Sequence, residues 1–203
     1  MSDTVYKVVA QLQGFSVKNC VPMPEPSKVL MCPPDHYEAR DERNPFSAGH
    51  TGRVSPHLAR KQWVELHAAF VAAGLEVALV PATAGLADMV FCANQSFAGL
   101  TAKLERLCVL GSMRYPSRRR EVAAFAGWFR EAGYRVAALK DQGLTFEGAG
   151  DALWHPGRRL IWGGCGFRTD AGAYEELARL FATPVVLLKL VNERFPHLDT
   201  CFC

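Results

Sequence analysis

The sequence predicts an α/β chain made of a repeated unit: two strands, a helix and a further strand. About three repeats and the first strand of a fourth fit the length. Three observations predict this. Helix starts recur near residues 56, 118 and 171. The first two helical stretches end in a glycine, and all three are followed by a short apolar run of strand character. A polar motif then follows each of those strands. A period of ~50–60 residues is the range of repeat architectures. A repeat that cannot bury its own face needs neighbours, so the units are expected to close into a ring.

Each element has its own signal. Val5 to Leu12 can form a short strand, and Pro22, Pro24 and Pro26 mark an extended linker, so residues 1–27 read as an N-terminal extension and 28–203 as the domain. Lys28 to Cys32 is a strand stopped by Pro33-Pro34. Ser55-Pro56 starts a helix, an N-cap hydroxyl followed by proline at the first helical position. Its stripe runs Ala59, Trp63, Leu66, Phe70 and Ala73, and Gly74 ends it. Leu75 to Val80, Asp88 to Asn94 and Leu107 to Leu110 follow as strands. Ser117 is expected to cap a second helix closed by Gly133, with the strand Tyr134 to Leu139 after it. Phe146 to Trp154 carries a motif, and Leu160 to Gly163 is a strand. Asp170 is expected to cap the third helix, ahead of the strand Pro184 to Val191. The last nine residues, Phe195 to Cys203, read as an extended strand with His197, Asp199, Cys201 and Cys203 on one face.

Composition narrows the function classes. The 203 residues are 49% hydrophobic and 21% charged, the balance of a globular domain. A net charge of +3, with Arg118-Arg119-Arg120 as the one tight basic run, argues against a nucleic-acid partner. No apolar run reaches membrane length. No signal peptide opens the chain, and the seven cysteines lie mostly within apolar runs, so a reducing cytoplasm is expected.

Several polar groups could carry chemistry. Phe146-Glu147-Gly148-Ala149-Gly150-Asp151 sets two carboxylates on a glycine-rich bend, suited to a guanidinium that two oxygens can bind at once; an ordinary turn explains it as well. His197 with Asp199 suits proton transfer, or else is a half-buried histidine at a strand start. Arg118 and Arg168 suit a carboxylate clamp, or are surface arginines near helix N-termini. Zinc on Cys201 and Cys203 is disfavoured, because same-face strand neighbours stand ~6–7 Å apart. A Cys201–His197 pair is rejected on the same extended geometry, at ~13 Å.

Taken together, Asp88-Met89-Val90-Phe91-Cys92-Ala93-Asn94, Arg118-x-x-Glu121, Phe146 to Asp151, Gly166-Phe167-Arg168-Thr169-Asp170 and His197 to Phe202 occur in an order that resembles the guanidino-group modifying enzymes, the pentein superfamily. The resemblance runs from about Lys28 to the end. It implies a five-bladed α/β propeller of ββαβ-type units with the site on its axis. It also implies hydrolysis at the guanidino group of arginine or a methylarginine through a covalent cysteine intermediate, with no cofactor and no metal. By motif, Glu147 would grip the guanidinium, His197 would be the acid and base, and Asp199 its supporting carboxylate. Asn44, Asn94, Arg118, Asp151 and Arg168 would bind substrate. Asn94, where better-known deiminases carry aspartate, together with Asn44-Pro45, looks like the arginine dihydrolase branch. The nucleophile is expected beyond residue 203, so this chain is expected to be truncated and inactive by itself. A non-catalytic binding protein of the same fold and an amidinotransferase are the competing readings. The partner expected is a small molecule, with neither nucleic acid nor membrane, and a homo-oligomer is left open.

Overall fold

The computed structural model describes residues 3–42 and 47–202. The chain divides into two compact units, Pro26–Cys92 and the combination of Met1–Glu25 with Ala93–Cys203. The first strand, β1 (Val5–Tyr6), belongs to the latter.

In Pro26–Cys92, β2 (Lys28–Met31) and β3 (Glu76–Leu79) run parallel, Lys28 opposite Glu76 and Met31 opposite Leu79. The helix α1 (Pro56–Ala72) connects them. Its start follows the sequence signal: Ser55 Oγ accepts from the Leu58 N–H at 3.3 Å, with proline in the first turn. The chain leaves the helix through Gly74 at φ +81°, a left-handed turn that glycine adopts without strain. The expected strand over 88–94 is absent. A 3-10 turn at Ala87–Val90 stands there, burying Ala87 and Met89 and leaving Phe91 exposed. A short apolar run does not by itself distinguish a strand from a helical turn.

The larger unit holds two sheets with one path. In the first, β4 (Ser96–Leu100) pairs antiparallel with β5 (Arg106–Leu110). The chain then passes through α2 (Pro116–Arg119) and α3 (Glu121–Glu131) and returns as β6 (Arg135–Ala137), parallel to β5. In the second, α4 (Gly148–Asp151) leads into β7 (Ala152–Trp154), antiparallel to β8 (Ile161–Cys165). The helix α5 (Ala173–Phe181) then returns the chain as β9 (Val185–Lys189), parallel to β8, with β1 added on its far side. Two strands, a helix and a further strand is the repeat expected from the sequence, and the structure adds that the first pair is antiparallel and the last strand parallel. The helix starts shift: Tyr115, not Ser117, occupies the second cap, and Gly172, not Asp170, the third. The Asp170 carboxylate instead accepts from the backbone N–H and hydroxyl of Thr145, at 2.8 and 2.9 Å. The fourth-unit strand expected over 195–203 is also absent from the described residues. Leu198–Thr200 is a single 3-10 turn.

The core between the two sheets is aromatic. Tyr174, Phe146, Phe97 and Phe181 are fully buried together with Leu177, Ile161 and Val185. Trp154 stacks on Phe97 at 5.2 Å and donates to the Ala98 carbonyl at 2.9 Å, tying the second sheet to the first. Gly99 is required there, since a Cβ would stand 2.5 Å from the indole. Among the described residues no helix is long and apolar enough to cross a membrane.

Arg159 fastens the same seam. Only 6% exposed, it donates to the Leu100 and Thr101 carbonyls at 2.9 Å each, to the Phe181 carbonyl, and to Thr183 Oγ1 at 2.9 Å. A buried cation held by neutral acceptors is costly to disturb, because its loss strands the acceptors. Arg159→Met is expected to cost about 3 kcal/mol of stability in urea unfolding with an unchanged slope. A loss below about 1 kcal/mol would show that the seam does not rest on this contact.

Candidate active site

Three tight turns carry the polar residues, and glycines let them meet. Asn94 lies just before β4, Glu147 and Asp151 bracket α4 just before β7, and His197 caps the last 3-10 turn. Gly148 takes φ +54°, and a Cβ on it would stand 2.5 to 2.7 Å from the carbonyls of Ser96, Ala93 and Asn94. The Ala149 N–H donates to the Ala93 carbonyl at 2.7 Å, which seats α4 on the start of the first sheet. A Cβ on Gly150 would overlap the Asn94 amide and reach within 3.2 Å of His197 Nδ1. The glycine-rich bend is therefore more than a flexible turn: only its bare backbone allows this approach.

At the centre stands the His197 imidazole, 9% exposed. Nδ1 lies 3.3 Å from Asp151 Oδ2, and Nε2 lies 3.3 Å from Glu147 Oε2 and 3.4 Å from Asn94 Nδ2. Asp151 is fixed from several directions. The Thr169 hydroxyl donates to Oδ2 at 2.6 Å, the Leu198 N–H donates to Oδ1 at 3.1 Å, and the Tyr174 hydroxyl sits 2.8 Å from its carbonyl. Thr169 Oγ1 also accepts the Glu147 N–H at 3.0 Å, so one hydroxyl orients both carboxylate residues.

Glu147 is fully buried and only half satisfied. Its Oε1 accepts from the Arg114 N–H at 3.1 Å, while Oε2 has no hydrogen-bond partner. Arg168 Nη1 stands 3.6 Å from that oxygen, and its guanidinium lies over the Tyr115 ring at 4.6 Å. On the other flank Arg118 Nη1 donates to Asn94 Oδ1 at 2.9 Å. Arg118 Nε and Nη2 each meet Glu121 Oε2 at 3.2 Å, and Gln95 Nε2 donates to the same oxygen at 2.7 Å. The cluster thus offers a buried acceptor beside an imidazole, which suits holding a cation while moving a proton next to it. Among the described residues no group of three or more histidine, cysteine, aspartate or glutamate side chains is placed to hold a metal ion.

No protein-family model matches the chain. Individual proteins do. ArgZ of Synechocystis sp., a bifunctional arginine dihydrolase/ornithine cyclodeaminase, is 41% identical over 181 residues, which is 89% of this chain and 25% of ArgZ. The N(G),N(G)-dimethylarginine dimethylaminohydrolase of Mycobacterium tuberculosis is 36% identical over 177 residues, 87% of this chain and 55% of that protein. The solved N-terminal domain of ArgZ covalently bonded to a reaction intermediate superposes with a TM-score of 0.80 at 39% identity, covering 87% of this chain and 62% of that one. A cysteine-to-serine variant of the same domain bound to substrate gives 0.81 at 40% identity, with the same coverage. The chain is a homologue of these hydrolases, and its solved structural neighbours have the pentein fold. It spans about a quarter of ArgZ and about half of the dimethylaminohydrolase.

The pentein motifs of this homologue meet in one place, with two exceptions. Asn94, Arg118, Glu147, Asp151, Arg168 and His197 form the cluster just described. Asn44 lies outside the described residues. Asp199 is on the 3-10 turn, exposed, and not on a strand face with His197. The extended geometry used to separate Cys201 from His197 also fails, since the Cys201 thiol reaches the His197 carbonyl at 3.8 Å. Arg118 and Arg168 are buried, not surface arginines. Sequence reasoning missed the roles of Gln95, Tyr115, Glu121 and Thr169. Glu121 had a signal in its spacing, three residues after Arg118 on one helical face. Thr169 lay inside a quoted motif, but nothing local marked its hydroxyl as shared.

Asp199 still feels the cluster. Although the residue as a whole is exposed, the protein packed around its carboxyl keeps water from it and pushes it up from 3.8 to about 6, with Asp151 adding to the rise and His197 opposing it. Because the folded value exceeds the unfolded one, the native chain holds a proton that the unfolded chain has released between those pH values. The associated stability is present in full below about 3.8 and is lost as pH rises through about 6. Asp199→Asn should therefore raise Tm relative to the parent above pH 6 and leave it nearly unchanged near pH 4. A Tm difference that does not vary with pH would overturn this assignment.

Proposed function

We infer that this chain carries the guanidinium-binding and proton-transfer part of a hydrolase acting on the guanidino group of arginine or a methylarginine. One observation carries the reading: Glu147 Oε2, fully buried, has no hydrogen-bond donor and stands 3.3 Å from His197 Nε2. A buried carboxylate oxygen with no hydrogen bond, and with the Arg168 guanidinium no nearer than 3.6 Å, keeps room for a donor that a bound cation would supply. A guanidinium with N–H groups toward Glu147 would do so, and would bring its leaving nitrogen near the imidazole.

In this reading a cysteine thiol gives its proton to the His197 imidazole and attacks the guanidinium carbon, and the C–N bond breaks as His197 delivers that proton to the departing nitrogen. Water then enters, gives up a proton to the same imidazole, and cleaves the amidino-thioether, which restores the thiol. The ArgZ domain bonded covalently to a reaction intermediate and the cysteine-to-serine variant bound to substrate support this route by homology. The reading places the nucleophile outside residues 3–42 and 47–202. The units are read as three blades of a five-bladed propeller, an arrangement supported by the repeat of β4 to β6 in β7 to β9. Asn94 favours the dihydrolase branch over a deiminase.

The test is made on the protein in a form that carries the proposed cysteine nucleophile. Ammonia release from L-arginine is expected without added metal and in the presence of chelator. Ornithine with two ammonia molecules supports the dihydrolase branch, and citrulline with one supports a deiminase. Glu147→Gln should weaken arginine binding about tenfold or more as well as turnover, because it removes the charge facing the cation. His197→Ala should cut turnover by ~10²–10⁴-fold while arginine still binds. Near-normal turnover in His197→Ala, or inhibition by EDTA that zinc reverses, would overturn the reading.

A further inference from the structure

His197 is caught between two acceptors. Asp151 Oδ2 faces Nδ1, and Glu147 Oε2 faces Nε2, each at 3.3 Å. Arg168, stacked on Tyr115, and the more exposed Asp199 are the other charged groups nearby. Two carboxylates alone do not decide which ring nitrogen of the neutral imidazole carries the proton. One neutral group can break the tie. The Asn94 amide lies 3.4 Å from Nε2 and can present either its N–H or its carbonyl there.

The end it presents is decided on its other side. Arg118 Nη1 is 2.9 Å from the Asn94 amide, and only an acceptor can face a guanidinium, so Oδ1 points to Arg118 and Nδ2 to the imidazole. Arg118 is itself held by Glu121, which is 1% exposed and whose Oε2 takes both Nε and Nη2 at 3.2 Å. Gln95 Nε2, at 2.7 Å on the same oxygen, keeps that carboxylate from turning away. The line runs Glu121, Arg118, Asn94, Nε2, and its last member receives an N–H rather than giving one.

We propose that Glu121 is a positioning residue for His197: by holding Arg118 against Asn94 it fixes which end of the Asn94 amide faces the imidazole. The neutral ring then carries its proton on Nδ1, toward Asp151, and its Nε2 lone pair accepts the Asn94 N–H until a substrate group takes that place. Glu147 Oε2 is then left without a donor from the ring and stays available to a bound cation. The proposal rests on His197 being the proton-transfer residue of the reading above. It adds the group that sets the tautomer.

The tautomer is directly measurable. In the 15N-labelled 203-residue chain, long-range proton–nitrogen correlation spectra are taken about two units above the ordinary imidazole pKa of about 6.5. Neutral His197 is expected to be mainly Nδ1–H. Glu121→Leu should lower the Nδ1–H to Nε2–H ratio roughly fivefold, the worth of one ordinary hydrogen bond. Glu121→Gln, which keeps one acceptor oxygen, should fall between the two. His155, whose Nδ1 accepts from Trp162 Nε1 at 3.2 Å away from this network, is the internal control and should keep its tautomer in every variant. A parent chain with His197 mainly Nε2–H overturns the proposal without any variant. So does an unchanged ratio in a folded Glu121→Leu, or in Glu121→Gln if the leucine variant does not fold. Calorimetric titration of the parent chain with L-arginine is run beside it. Absence of arginine binding with the expected tautomer shift counts against the guanidino reading alone, whereas binding with no shift counts against Glu121 alone.

Discussion

The Asp151 carboxylate is the interaction on which this site depends. It is fully buried, and four polar groups from three chain segments converge on this one residue: the Thr169 hydroxyl, the His197 ring and the Leu198 N–H on its oxygens, and the Tyr174 hydroxyl on its carbonyl. A buried anion must be satisfied by hydrogen bonds or it forces the structure apart. Here those hydrogen bonds also position the last turn. With Leu198 N–H bound to Oδ1, the turn Leu198–Thr200 is held against α4, and the imidazole of His197 lands beside Glu147.

The same logic explains why so much charge is buried in a unit of this size. Arg118, Glu121, Glu147, Asp151, Arg168 and His197 are each 9% exposed or less. Replacing such ions by well-packed apolar side chains is often neutral or stabilising, so stability is a poor reason for their presence. The arrangement is informative for another reason. Arg118 and Glu121 satisfy one another, whereas Glu147 keeps an oxygen with no donor. A cluster serving only the fold would have closed that last valence. With Arg168 at 3.6 Å and His197 at 3.3 Å but no hydrogen-bond donor, Glu147 is the charge on which the proposed ligand reading rests.

Much of the fold could be read from the sequence because its helices are punctuated chemically. Ser55-Pro56 and Gly74 delimit α1, and Gly133, in the left-handed region, follows α3. The strand β4 could not be read. Ser96 to Leu100 contains Gly99, which weakens any strand signal, and the glycine is there because the Trp154 indole, 55 residues on, needs the space. The turns at Ala87–Val90 and Leu198–Thr200 looked like strands since both are short mixed runs with no helical period. In the site, residue types were legible and partnerships were not. Asn94 and His197 are 103 residues apart, and nothing local says that an amide will point at that ring. Asp199 was misplaced for the same reason: its alignment with His197 assumed an extended backbone.

The errors share a physical cause, and it concerns how the site is assembled. A strand sends alternate side chains to opposite faces, so a strand alone would have spread His197, Asp199 and Cys201 along ~13 Å of one face. A single helical turn does the opposite: it gathers backbone donors and aims one side chain off its end. Both motif turns of the larger unit, α4 and Leu198–Thr200, use it this way, with Glu147 and His197 at the cap positions where the backbone is not yet helical. The bare backbones of Gly148, Gly150 and Gly164 then let these turns approach Asn94, Asp151 and Leu198 more closely than any side chain would permit. Convergence therefore depends as much on the absence of three Cβ atoms as on the charged groups. This is why the carboxylates of the motif Glu147-Gly148-Ala149-Gly150-Asp151 cannot be separated from its glycines.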